Sequence, residues 1–175
     1  MNLMNLLDSA GGKQSLQRIA GQLGIDSART ADLVSALAPA LMGGLQKQTQ
    51  TSGGLSSLKN ALQKGNHQQY VNKPELMSSP ETLKDGNNIL GHLFGSKDVS
   101  RNVAAQAAAS TGIDTSTIKE ALPLLASLAM GALSKDTNQG QKDESSIGNL
   151  LGGLVGGNDG KVDVDDVLSM AKKFF

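Results

Sequence analysis

Two sets of residues have types and spacings that could do chemistry. The first is Val155-Gly156-Gly157-Asn158-Asp159-Gly160-Lys161-Val162-Asp163-Val164-Asp165-Asp166. With Gly160 at the sixth position of a calcium loop, Asp159 falls at five, Asp163 at nine and Asp166 at twelve, all oxygen donors. Positions one and three then hold Val155 and Gly157, where carboxylates are needed to neutralise a hard dication. Lacking both, the stretch reads as a capped turn that opens a helix. The second set is His67 and His92, the two imidazoles of the chain. A zinc or general acid–base site needs them to converge with each other or with acids. His92 sits between Leu90 and Phe94 on a short apolar helix and His67 follows a helix-ending Gly, so a structural hydrogen-bonding role is expected for each. Cys is absent, which removes thiolate ligands, Cys nucleophiles and disulfides together. No Gly-x-Ser-x-Gly, P-loop or paired-carboxylate pattern occurs, and Gly-rich pieces such as Leu151-Gly152-Gly153-Leu154 follow no strand. The expectation is a protein that is not an enzyme, with no catalytic, cofactor-binding or metal residue to assign.

The elements that would position such residues are all helices. Leu16, Ile19, Ala20 and Leu23 recur at i, i+3, i+4 and i+7, the stripe of a helix with one buried face. Gly24 suits the left-handed position that closes it, and Asp26 suits the N-cap of the next helix, which runs on Leu33, Val34, Leu37, Leu41 and Leu45. Pro39 lies inside that pattern and predicts a kink or restart. The same plan returns at an offset of 88: Gly24-Ile25-Asp26 falls on Gly112-Ile113-Asp114, Leu37 on Leu125, Met42 on Met130, Gly43 on Gly131 and Leu45 on Leu133. This reads as an internal duplication, with the better-formed copy in residues 89–133.

The fold class expected is all-α, a multi-helical bundle of two related helical repeats plus a C-terminal helical pair. Residues 1–50 form the first repeat, and 51–84 a connector with one short helix on Leu55, Leu58 and Leu62, irregular from 66 to 85. Residues 85–135 form the second repeat, where Asp85 can cap the helix of Ile89, Leu90, Leu93 and Phe94, and Ser96 the next. Residues 136–146 are a flexible linker without apolar periodicity, and 147–175 the C-terminal pair. Aromatic residues are one Tyr and three Phe, so the core must be aliphatic, and Gly numbers 21 of 175 residues, against a usual ~7%.

Lys plus Arg and Asp plus Glu number 16 each. A neutral chain lacks the broad positive field that supplies most non-specific nucleic-acid affinity, which weighs against a dedicated DNA or membrane-surface binder. Charge is uneven: residues 46–85 hold five Lys against three acids, and 136–175 seven acids against four Lys. The apolar run 121–133 is shorter than the ~20 residues that span a bilayer, so it reads as a buried core helix. The first twelve residues lack a basic n-region and a sustained apolar core, so no signal peptide is expected and the location expected is cytoplasmic.

Several stretches carry a family resemblance. Ile89-Leu90-Gly91-His92-Leu93-Phe94-Gly95, Leu122-Pro123-Leu124-Leu125-Ala126 and Met130-Gly131-Ala132-Leu133 together resemble the YidB-like bacterial family. Asn66-His67-Gln68-Gln69-Tyr70 and the terminal Asn158-Asp159-Gly160 and Asp165-Asp166-Val167-Leu168 are similar to its other segments, so the resemblance covers nearly the whole chain. It implies an all-α fold and a bacterial source, and no activity, because the family is one of unknown function. Residues 103–133 also look like the helical hairpin of HU-type nucleoid proteins, without their basic β-arms.

Three functional expectations follow. The first is a non-enzymatic structural or protein–protein interaction module, self-association included, using small-residue helix faces and the Gly-rich C-terminal stripe. The alternative is a nucleoid- or DNA-associated accessory protein with an HU-like hairpin. A carrier holding a small ligand in a Leu/Met-lined cavity between the halves is the third.

Overall fold

A computed structural model describes Asn5, Leu7, Asp8 and residues 11–139, with the side chains of Leu55, Gln63 and residues 136–139 left aside. The calcium-like stretch 155–166 and the C-terminal pair 147–175 lie outside the described residues. Asn5, Leu7 and Asp8 are helical and lead through Gly11, at φ 81°, into α1, Lys13–Leu23. There follow α2 (Ser27–Gln50), α3 (Gly54–Lys64), the single turn α4 (Gln69–Asn72), a 3-10 turn (Pro74–Ser78), α5 (Pro80–Phe94), α6 (Lys97–Thr111) and α7 (Thr115–Gln139). Among the described residues there is no strand. The chain is an all-α, multi-helical bundle.

The axis of the bundle is α7. An ordinary surface helix buries one stripe, whereas a helix apolar all round must be surrounded. From 121 to 134 every residue of α7 is buried except the half-buried Ala129. Leu122, Leu124, Leu125, Leu128 and Leu133 are 0–2% exposed, each stabilising the fold by roughly 1.5–3 kcal/mol relative to leaving it in water. Its two buried hydroxyls are satisfied by carbonyls of other elements: Ser127 Oγ donates to Thr82 O at 3.0 Å and Ser134 Oγ to Leu62 O at 3.0 Å. The largest interface of α7 is with α5, and α1, α2, α3, α4 and α6 also pack on it.

Helix ends follow local chemistry. Gly24, Gly95 and Gly112 all close helices in the left-handed conformation, at φ 67°, 73° and 71°. Asp26 accepts from Arg29 N at 2.8 Å, and Ser96 caps α6 through Val99 N. Asp114 accepts from Ser116 N and from its hydroxyl, bonds that hold the Asp114 carboxyl below its ordinary pKa. Gly24 and Gly112 share the left-handed conformation, but Ile25 N donates to Ala20 O and Ile113 N to Thr111 Oγ1, and the two long helices live differently, α2 burying one face and α7 nearly all of its middle.

Four expectations need correction. Both α2 and α7 continue through their internal prolines, Pro39 and Pro123. The carbonyls that lose a donor belong to Ser35 and Lys119, both exposed residues, so water can take each bond. Asp85 is not a cap: α5 begins five residues earlier, where Ser79 accepts from Glu81 N at 3.2 Å and Pro80 occupies the first helical position. Residues 66–85, expected to be irregular, consist mostly of α4, the 3-10 turn and the first turns of α5. The last of α7 also continues through 136–139, into the stretch read as linker.

Candidate functional site

Because residues 121–134 of α7 are covered, the surface chemistry of the described residues lies on the outer elements and the first turns of α7. One groove of about 690 Å³ runs between α1 and the 3-10 turn, lined by Gln14, Gln17, Arg18, Gly21, Gln22, Pro74 and Ser78. The α1 residues among these recur at i, i+3, i+4, i+7 and i+8, which places them on one outward face, opposite the stripe of Ser15, Leu16, Ile19 and Ala20 that enters the core. Three primary amides offer donors and acceptors side by side, and Arg18 adds a cation that makes no ion pair or hydrogen bond with any described residue. Glycine at position 21 has no steric cause within the protein, since a Cβ there would meet nothing within 4 Å. Glycine inside a helix costs about 1 kcal/mol relative to Ala. Its effect is to leave the α1 wall of the groove without a side chain at that point.

The second wall of the groove is held by a buried polar cluster. Ser15 Oγ, on the inner face of α1, donates to Tyr70 O at 2.7 Å, and Gln68 Nε2 donates to Ser134 O on α7 at 3.1 Å. Thr82 Oγ1 donates to Leu76 O at 2.5 Å, tying the 3-10 turn to α5. Tyr70, 2% exposed, donates its hydroxyl to the carboxylate of Asp85. Burial first, and then that bond, raise the phenol well above its ordinary pKa of 10.0. A raised pKa means that the native state keeps a proton the unfolded chain gives up, so the stability it contributes is present below about pH 10 and is lost as pH rises further. Tyr70 is the only tyrosine and there is no Trp, so its ultraviolet absorbance reports this directly. Native protein is expected to show no phenolate band through pH 10–11, with the band appearing together with unfolding; a normal spectrophotometric titration at pH 10 would refute the pairing.

The two imidazoles have different fates. His92 is exposed on α5, where its backbone carbonyl accepts from Gln48 Nε2. His67 is 8% exposed between α3 and α4, its ring centroid 6.0 Å from that of Tyr70. The hydrogen-bonding role expected of it is unfilled at one atom, because Nδ1 is buried without a partner. Nothing brings His67 and His92 into one site, and among the described residues no three His, Cys, Asp or Glu side chains form a metal-holding group. The groove was missed in the sequence, where Gln14, Gln17, Arg18 and Gln22 look like the ordinary polar face of an amphipathic helix; the signal present was Gly21 interrupting that face.

The model of one family, described as a bacterial protein of unknown function (DUF937), matches residues 5–136. The chain belongs to DUF937. The YidB-like resemblance agrees with this assignment, and the DUF937 match ends within a few residues of the end of α7. It does not reach the terminal segments 158–160 and 165–168 that had been read as part of the resemblance. Neither a curated protein nor a solved structure matches this DUF937 chain. Its described residues include no helix long and apolar enough to cross a membrane.

Proposed function

We propose that this DUF937 protein is a non-enzymatic protein–protein interaction module that binds an extended, acidic peptide segment of a partner in the groove between α1 and the 3-10 turn. The observation that carries the reading is Gly21, a helix-interior glycine whose Cβ would meet no described atom, set in the α1 wall of a groove lined by Gln14, Gln17, Gln22 and an Arg18 without a partner among the described residues. Primary amides match the alternating N–H and C=O groups of an extended backbone, and a guanidinium matches a carboxylate in a two-bond fork. Charge favours an acidic ligand: α1 carries Lys13 and Arg18 and no acid, with Glu75 the one acid on the facing turn. The groove lining contains neither aromatic rings for stacking on sugars nor carboxylates for their hydroxyls.

The other expectations find less support. Three of the small residues on helix faces are used within the chain: a Cβ on Gly44, Gly86 or Gly131 would lie 3.0, 2.0 or 2.6 Å from a backbone oxygen of Leu93, Pro123 or His67. The HU-like hairpin, α6 and α7, presents no open face on the middle of α7. The groove's lining is polar rather than Leu and Met, unlike the cavity a small-ligand carrier would need.

Panning a random 12-residue peptide display library on the full chain tests the reading. Peptides rich in Asp and Glu are expected to be enriched, with Arg18→Glu weakening their binding at least tenfold, and binding is expected to fall as salt rises. Failure to enrich any peptide, or enrichment indifferent to Arg18→Glu, would remove it.

A further inference from the structure

The groove has one wall on α1 and the other on Pro74 and Ser78, and the segment 66–79 that carries the second wall begins beside the buried His67. This inference rests on the groove reading for its functional meaning, although its test does not. We propose that His67 is an acid-sensitive latch: uptake of a proton by its buried ring releases residues 66–79 from α7 and α1, and so dismantles the groove.

The geometry offers the ring no acceptor for a second proton, since Nδ1 is buried without a partner. The ring is wedged so tightly that a Cβ on Gly65 would lie 2.0 Å from Nε2, while a Cβ on Gly131 would lie 2.6 Å from the His67 carbonyl oxygen. Glycine at both positions lets the histidine's ring and backbone press against α3 and α7. In the neutral ring an unpartnered Nδ1 is tolerable as a bare lone pair; once protonated it is a buried cationic donor without an acceptor. Ionisable groups with described side chains on α3, α4, α5 and α7 are Lys59 and Lys64 on α3, Tyr70 on α4, Glu81, Lys84, Asp85 and His92 on α5, and Lys119, Glu120 and Lys135 on α7. Of these, Asp85 acts on the ring, favouring its charge, but Asp85 is already engaged by the Tyr70 hydroxyl. Lys135 is directed at Asn72 Oδ1, 3.1 Å away.

Burial outweighs Asp85 and holds the imidazole below its ordinary 6.5. The sign is therefore fixed. The opened segment takes up a proton at the ordinary pKa and the closed one does not, so the closed arrangement is fully favoured above about pH 6.5 and loses stability as pH falls below it. For one proton the open-to-closed ratio rises by at most about tenfold per pH unit. Opening breaks the bonds from Ser15 to Tyr70 O and from Gln68 to Ser134 O, and draws away Pro74 and Ser78, the outer lining of the groove.

Amide hydrogen exchange of the full chain, expressed as protection factors between pH 7.5 and 5.0 with no peptide present, tests the latch. Protection across residues 66–79 is expected to fall below pH 6.5 by up to tenfold per unit while that of 122–133 holds, and His67→Gln is expected to flatten the dependence. Protection at 66–79 that is independent of pH in the wild type, or a fall that persists in His67→Gln, would overturn it. If His67→Gln does not fold, the NMR signals of the single imidazole left in His92→Gln decide. Ring protonation that coincides with loss of protection at 66–79 supports the latch, and protonation while those amides stay protected refutes it. Absence of peptide binding would sink the groove reading and leave this result standing.

Discussion

Gly86→Ala is expected to destabilise the bundle by about 3 kcal/mol or more, while Gly91→Ala, on the same helix, stabilises it by about 1 kcal/mol. The two glycines differ only in what faces them. A Cβ on Gly86 would stand 2.0 Å from Pro123 O, 2.5 Å from Pro123 C and 2.7 Å from its Cα, all backbone atoms of α7 that no rotamer change can move. The α5–α7 interface, the most extensive in the bundle, would have to separate. A Cβ on Gly91 meets nothing within 4 Å, so only the gain in helix propensity remains. Urea unfolding followed by circular dichroism gives both values, and a Gly86→Ala midpoint equal to wild type would show that α5 does not approach α7 through this glycine.

The second large effect is expected at Leu128, 0% exposed in the fully buried middle of α7. Leu128→Ala removes buried methyl groups where neighbours from several helices meet and cannot all relax, so a loss of about 3–5 kcal/mol is expected. That is a large part of the 5–15 kcal/mol usual for a domain. Val99, 41% exposed on α6, is the control: Val99→Ala should change stability by less than about 0.5 kcal/mol. Equal effects at the two positions in urea unfolding would contradict the placement of α7 at the centre.

Much of this architecture was legible because its signals are local. The glycines at 24, 95 and 112 and the caps at Asp26 and Ser96 need only their own turn, and the apolar run of α7 declares a helix that must be surrounded. The start of α5 was legible but misjudged. Ser79-Pro80-Glu81 is a cap, a first-turn proline and an acid at the positive end of the helix dipole, yet it falls in the stretch expected to be irregular, with Asp85 expected as the cap. The restart allowed for at Pro39 does not occur, for a different reason: whether a helix survives a proline depends on whether the freed carbonyl finds water, which is a tertiary fact. The groove and the latch were not legible. Both depend on residues more than fifty positions apart, Ser15 with Tyr70 and Gln68 with Ser134, whose meeting no periodicity encodes. The same holds for Gly86, whose need for a bare Cα is visible only once Pro123 lies against it.

The measurement that bears most directly on the function is backbone amide NMR of the chain with an acidic peptide obtained by panning, run in parallel on Gly21→Leu. Leucine projects from the α1 wall into the groove, meets no described protein atom at its Cβ, and raises helix propensity by about 0.8 kcal/mol, so this variant should be folded at least as well as wild type. Shifts confined to residues 14–22 and 74–78, and binding lost in the more stable Gly21→Leu, are the predicted result. Peptide shifts on another face, or wild-type affinity in Gly21→Leu, would contradict it.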